Sequence, residues 1–288
     1  MASTALITGA YGYLGSLLRA RLEAAGWQTV ALVRSPRRGD RAVRWRLGEA
    51  LPAGASNAEA LVHCAYDFSP RAAAEVDRIN VRGTEDLLRS AAEGDISRPL
   101  VLSSMSAYEG TDQIYGRAKL AIEAKTVAAG GIAIRPGLVY GPRPGGMAAT
   151  LVKLAKLPVV PDLGPSARQF PVHEDDLAGA VVNILAAPGW MPETFGVAQP
   201  QPIGFRTLMT NLLGSGESPR FVRTPWRAVY AALRFAELLR LSPVRADSVL
   251  GLVCPAPGVP RSRAFPNLLS ELRTMQPVLP GAGAEARV

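Results

Sequence analysis

The residues best suited to chemistry in this 288-residue chain are a tyrosine, a lysine and a pair of serines. Tyr115-Gly116-Arg117-Ala118-Lys119 reads as the opening of a helix over Tyr115–Ala129, placing Tyr115 and Lys119 at i and i+4 on one face. A free phenol ionises near pH 10 and is a poor base at neutrality. An ammonium about 4 Å away stabilises its phenolate by roughly 4 kcal/mol at an effective dielectric of about 20, worth about three pH units. That brings a tyrosine into range for proton transfer. Ser103-Ser104 closes the strand-like run Leu100–Ser103, and a hydroxyl there can bond the same substrate oxygen. A tyrosine and lysine at this spacing are common on ordinary helices. Here they gain weight because strand, serines and helix follow a second motif in order.

That motif is Gly9-Ala10-Tyr11-Gly12-Tyr13-Leu14-Gly15, between a strand at Thr4–Thr8 and a helix at Leu14–Ala25. Such a turn uses glycine where φ is positive and where backbone approaches a phosphate closely. The helix N-terminus then offers free N–H groups and partial positive charge to a pyrophosphate. Gly9, Gly12, Tyr13, Leu14 and Gly15 are therefore candidate dinucleotide contacts, the plain alternative being a tight strand–helix connection. A second strand at Thr29–Val33 ends in Arg34-Ser35-Pro36-Arg37-Arg38, where an NAD-specific fold carries an acid for the ribose 2′-OH. Arg34, Ser35 and Arg38 suit a 2′-phosphate instead, which favours NADP(H) with NAD(H) possible. A solvated basic loop is the other reading of that run.

The elements around these residues alternate. Further strands read at Ala60–Cys64 and Ile132–Arg135, with helices at Asp77–Ala92 and Met147–Leu157. Such alternation specifies an α/β fold, a doubly wound parallel sheet covered by helices on both faces. From Gln199 the pattern is helical and apolar. The expected division is a dinucleotide-binding domain over 1–198, with 141–171 contributing to a smaller, mainly helical substrate lobe at 199–276. The Gly- and Ala-rich Pro277–Val288 is expected to be poorly ordered. Trp226–Leu241 is apolar around most of its circumference, with Arg227, Arg234 and Glu237 as a narrow polar stripe. It suits a core or dimer helix, the wall of an apolar pocket, or a membrane-surface contact.

Composition narrows the class. The net charge of +8 is carried by scattered arginines without aromatic interleaving, which suits an anionic cofactor better than a nucleic acid. Two distant cysteines give neither a disulfide framework nor a zinc pair, so no metal is expected. With no targeting segment or apolar span evident, a cytoplasmic protein without an integral membrane segment is expected.

Seven motifs in order carry a resemblance over residues 3–200. They are the glycine turn, His63-Cys64-Ala65-Tyr66, Asn80-Val81-Arg82-Gly83-Thr84, Ser103-Ser104 with Tyr108, and Tyr115…Lys119. Arg135-Pro136-Gly137-Leu138-Val139-Tyr140-Gly141-Pro142 and Val172-His173-Glu174-Asp175-Asp176-Leu177-Ala178 complete the set. The chain resembles the extended short-chain dehydrogenases, the NAD-dependent epimerase/dehydratase family. The resemblance implies that Tyr115 is the general acid/base, that Lys119 holds the nicotinamide ribose and lowers the tyrosine pKa, and that Ser104 is the catalytic hydroxyl. Ser103 and Ser106 stay open. Ala65 and Tyr66 would border the ribose and nicotinamide, and Pro136 to Val139 the carboxamide end. Asn80 would brace the helix beneath, while His63 and His173 would be structural. Tyr66, Ser106, Arg143 and Arg168 are candidate substrate contacts.

Two departures matter. Arg46-Leu47 stands where the family has Asp-Leu near the adenine, and only ten residues separate Ser104 from Tyr115. The short loop argues against a large sugar nucleotide. The leading expectation is an oxidoreductase moving hydride between NADP(H) and a small or apolar carbonyl or secondary alcohol. A nucleotide-sugar epimerase or dehydratase with bound NAD, using Arg143 and Arg168 on phosphates, is the alternative, and a non-catalytic NADP-binding protein the third. A homodimer is expected from family habit.

Overall fold

The structure, a computed structural model, describes residues 2–52, 58–214, 219–239 and 246–276. In chain order its strands are β1 (Thr4–Thr8), β2 (Gln28–Val33), β3 (Ala42–Arg44), β4 (Ala60–His63), β5 (Arg98–Leu102), β6 (Ile132–Pro136) and β7 (Leu138–Tyr140). They continue as β8 (Val159–Asp162), β9 (Arg168–Gln169), β10 (Pro171–His173), β11 (Thr194–Val197), β12 (Ile203–Gly204) and β13 (Arg220–Arg223). The helices are α1 (Tyr13–Ala24), α2 (Ala73–Val76), α3 (Arg82–Glu93), α4 (Ile114–Ala128), α5 (Gly146–Ala155), α6 (Glu174–Ala186), α7 (Phe205–Leu213), α8 (Trp226–Leu238) and α9 (Asp247–Val253).

Seven strands form one sheet in the order β11-β6-β5-β4-β1-β2-β3, every neighbouring pair parallel. This is the doubly wound Rossmann arrangement. Its register sorts side chains by the pleat. Ala5 and Ile7 of β1, Ala60 and Val62 of β4, and Leu100 and Leu102 of β5 share one core with Leu18 and Leu22 of α1 and Val181 and Ile184 of α6. Leu6 and Leu61, paired across β1 and β4, face the other way onto Leu87 of α3. Strands buried on both faces read as continuous apolar runs, which is why these were visible in the sequence. The order reverses between β1 and β4, and a crevice at the carboxyl ends of the strands is where such sheets bind ligands.

A second apolar cluster brings together α5, β8, α7 and α9 through Leu151, Val160, Leu208, Met209 and Val253. The run from Gln199 is less uniformly helical than its sequence suggests. β13 pairs in parallel with β8, and β12 pairs with β9. Arg220-Phe221-Val222-Arg223 is too short and too polar to declare itself as a strand alone. The expected helix at Asp77–Ala92 begins earlier, at Ala73, and carries a π-helical turn over Asp77–Val81. That insertion turns Asn80 towards the loop after β4, as described below. The Pro277–Val288 tail and the last two residues of the Trp226–Leu241 run lie outside the described residues.

Candidate active site

The glycine turn is built by close backbone approach. Gly9 has φ +63°, and a Cβ on Gly15 would lie 2.2 Å from the Gly9 carbonyl oxygen. No side chain caps α1 and no acid occupies its first turn, so its N–H groups are left for an external anion. Tyr13 behaves differently from expectation. Its hydroxyl donates to Glu174 (2.7 Å) and its ring occupies the space beside Gly145. The side chain thus ties the turn to α6 and raises the phenol pKa, mainly by burial, leaving only the backbone of Tyr13 to face a dinucleotide.

The basic run after β2 is clamped to this turn by contacts the sequence did not disclose. Tyr11 Oη donates to Asp40 (2.7 Å) and accepts from the Arg37 backbone N–H (3.1 Å). The Arg37 guanidinium lies 4.1 Å from the Tyr11 ring centroid. Arg19 of α1 grips Asp40 with both guanidinium ends (2.9 and 2.6 Å), and Arg19, then Tyr11, holds that carboxyl well below its usual range. Arg37 is therefore the arginine of the run with a fixed platform. Arg34, Ser35 and Arg38 are exposed, and the Arg34 charge is felt by Asp67 across the crevice.

The loop after β4 is fixed by a buried chain of hydrogen bonds. The Thr84 hydroxyl donates to the Asn80 carbonyl (2.7 Å), so at its 3.1 Å contact with His63 Nε2 it accepts. His63 Nδ1 then accepts from the Thr8 hydroxyl at 2.7 Å. Thr8 Oγ1 in turn accepts from the Cys64 and Ala65 N–H groups, both at 3.1 Å. Burial holds the His63 pKa down to about 3, so the ring is neutral, and pushes Cys64 up to about 12, so the thiol is inert at neutrality. Asn80 completes the brace by bonding the Asp67 N–H (2.7 Å) and carbonyl (3.0 Å).

Tyr66, Phe68 and Tyr115 gather above Lys119. The Tyr66 ring packs edge-on to Tyr115 with centroids 5.0 Å apart, and Phe68 stacks on Tyr115 at 5.7 Å. Lys119 is 4% exposed and its Nζ donates to the Leu102 carbonyl (2.6 Å). That nitrogen lies 4.9 Å from the Tyr66 centroid and 5.9 Å from the Tyr115 centroid. Burial pushes Tyr115 up to about 12, with the neighbouring Ser104 hydroxyl acting in the opposite direction. Burial also brings Lys119 down to about 8.

The two adjacent serines differ in their partners. Ser103 Oγ donates to Glu123, which accepts from Arg135 Nε (2.8 Å) and Nη2 (2.7 Å), so that hydroxyl is committed beneath the sheet end. Ser104 Oγ instead accepts from the Ser106 N–H at 3.1 Å and is near enough to Tyr115 to act on its pKa. Gly116 permits this closeness: a Cβ there would stand 2.3 Å from the Ser106 carbonyl oxygen. Gln113, just before α4, has a buried Nε2 with no hydrogen-bond acceptor among the described residues. Pro136 accepts from the Met105 N–H (3.3 Å), and the Val139 side chain is buried in the main core. Arg143 is exposed, and Arg168 on β9 is exposed with Nε on the Pro165 carbonyl (3.2 Å), neither drawn towards Tyr115 by a hydrogen bond.

The model of the NAD dependent epimerase/dehydratase family matches residues 5–198, and the chain belongs to that family. Its cofactor is accordingly a nicotinamide dinucleotide, and the uncapped α1 and close-packed glycine turn fit one. Ceramide reductase of Caulobacter vibrioides is 30% identical, over 63% of this chain and 61% of that protein. The 3-diazoavenalumate denitrifying reductase of a Streptomyces species is also 30% identical, over 62% of this chain and 70% of that protein. Among solved structures, UDP-N-acetylglucosamine 4-epimerase from Bacillus cereus superposes with a TM-score of 0.66 at 18% identity, covering 86% of this chain and 94% of that one. It shares the fold. Among the described residues no helix is long and apolar enough to cross a membrane, and no cluster of potential metal ligands occurs.

The Thr8 network gives a stability test. Thr8→Val leaves His63 Nδ1 and two backbone N–H groups without their partner and is expected to cost about 2–4 kcal/mol in urea unfolding. Because His63 is neutral when folded, the wild-type protein should lose stability as pH falls from about 6.5 to about 3, where the unfolded chain binds the extra proton.

Proposed function

We propose that this protein is an NADP(H)-dependent oxidoreductase acting on a small or apolar carbonyl or secondary alcohol, running in the reductive sense. The observation that carries this reading is Tyr115 packed with Tyr66 and Phe68 in an aromatic shell beside the buried Lys119, with the Ser104 hydroxyl near enough to act on its pKa. The bound dinucleotide supplies the hydride. Ser104 and Tyr115 hold the carbonyl oxygen between their hydroxyls and polarise it. As the carbonyl carbon is reduced, Tyr115 gives its proton to the oxygen, and the alcohol is the product. Lys119, ionised below pH about 8, lies under the phenolate left behind and stabilises it. Tyr115 is protonated throughout the neutral range, so it begins the reductive step carrying the proton it gives.

An apolar substrate fits the lining. Tyr66 and Phe68 flank Tyr115, and both 30%-identical relatives carry the name reductase. The nucleotide-sugar reading needs cationic groups at the site, and Arg143 and Arg168 are not held there. For the 2′-phosphate, Arg37 on its Tyr11 platform joins Arg34, Ser35 and Arg38 as the anion-binding set. We place the catalytic roles on Ser104, Tyr115 and Lys119, and the dinucleotide on Gly9, Gly12, Gly15, the backbone of Tyr13 and Leu14, and the Ala65–Tyr66 and Pro136–Val139 segments.

Tyr115→Phe is expected to lower kcat for NADPH-dependent reduction of an alkyl ketone by about 100-fold or more, with NADPH affinity within twofold of wild type. The wild-type rate should decline as pH rises through about 8, where Lys119 loses its charge. An unchanged rate in Tyr115→Phe contradicts the assignment. Arg37→Glu should weaken NADPH binding about tenfold or more while altering NADH binding little, as measured by fluorescence titration. Equal loss for both dinucleotides places Arg37 outside the phosphate site.

A further inference from the structure

α8 is a thirteen-residue helix with no buried residue. Its inward half, Trp226, Val229, Tyr230 and Leu233, packs partly buried against the second apolar cluster. Its outward half is also apolar. Ala228, Ala231, Ala232, Phe235, Leu238 and Leu239 follow the i, i+3, i+4, i+7 rule and form one stripe along the exposed side. Phe235 is 64%, Leu238 79% and Leu239 49% exposed. A helix with both sides apolar is normally covered on both, and the described residues cover one.

Charge identifies the missing surface. Arg227 and Arg234 border one edge of the stripe, and Arg220 and Arg223 are exposed on β13 immediately before the helix. The nearby acids are turned inward: the side chains of Glu237 and Asp162 are each only 10% exposed, tied to Arg234 and to Arg206. The face therefore presents bulky apolar groups flanked by cations, in a chain of net charge +8. An isologous antiparallel contact with a second copy would set these arginines against their own copies, with the nearby Glu237 and Asp162 already tied inward. An anionic bilayer surface accepts both parts, the apolar stripe at the acyl boundary and the arginines at the headgroups.

We propose that the outward face of α8 seats this protein on an anionic lipid bilayer. Seating places the active site beside the membrane, because Glu237 of α8 pairs with Arg71 (3.9 Å) on the loop that follows Tyr66 and Phe68. An apolar substrate carrying an alkyl chain can then be taken from the lipid phase. This last step rests on the reductase reading; the membrane contact does not.

The test is co-sedimentation of the full-length protein with phosphatidylglycerol/phosphatidylcholine vesicles and with pure phosphatidylcholine vesicles, without substrate. Wild type is expected to pellet with the anionic vesicles and to be released by high salt. Phe235→Glu/Leu238→Glu and Arg227→Glu/Arg234→Glu should each reduce the bound fraction at least about tenfold. NADPH titration of each variant verifies folding. Should the first pair fail to fold, Phe235→Ser/Leu238→Ser is measured instead, with the same loss expected. Wild type remaining in the supernatant overturns the proposal, as does pelleting of the folded variants to the wild-type extent. A wild-type dimer that Phe235→Glu/Leu238→Glu converts to monomer, with no vesicle binding, assigns the stripe to a second copy and overturns it too. None of these readouts depends on turnover, so failure of the reductase assignment leaves them interpretable.

Discussion

The active end of this molecule is organised around a cation that water does not reach. Lys119 sits almost wholly buried, bonded to the Leu102 carbonyl at the tip of β5, with the Tyr66 ring over its ammonium. Burying a cation is costly unless its donors are met, so its neighbours have little freedom to move. The strand end supplies an acceptor and the aromatic ring a negative face. Tyr115, one helical turn earlier on α4, is then held where Ser104 can bond it. The same exclusion of water that strengthens these interactions also raises the cost of forming a phenolate.

The rest of the fold holds this arrangement in register. The Thr8–His63–Thr84–Asn80 chain stitches the ends of β1 and β4 to α3, and fixes the loop that carries Tyr66. Ser103, Glu123 and Arg135 lock β5, α4 and β6 together one residue before Ser104, to which we assign the catalytic hydroxyl. Of the two adjacent serines, the first is thereby committed to holding these elements together. On the far side of the glycine turn, Tyr11, Asp40 and Arg19 hold the basic loop in place without facing the crevice centre. Each device joins elements distant in sequence, which is why the site stays ordered although it lies on loop ends.

Much of the sheet was legible because parallel strands buried on both faces leave unbroken apolar runs, and the glycine turn because its spacing answers a steric need at Gly9 and Gly15. The Tyr115–Lys119 spacing was equally plain. Side-chain commitments were not. Nothing local to Ser103-Ser104 says that Glu123 takes the first hydroxyl, and the Tyr115–Lys119 spacing does not disclose how far burial raises the phenol. Arg37 was one of three arginines until Tyr11 gave it a platform. β3, β12 and β13 are too short to show periodicity. For α8 the apolar circumference was visible, but which half is covered depends on α7 and α9 assembling the second core.

The central physical claim is that Tyr115 waits as a protonated donor because burial disfavours its phenolate. It is tested most directly by titrating cofactor-free protein labelled with 13Cζ-tyrosine and following the Tyr115 resonance, assigned by its loss in Tyr115→Phe. Ionisation close to pH 12 is the expected result. Ionisation near pH 7 would contradict it, and would mean that the ammonium reaches the phenol before any cofactor is bound.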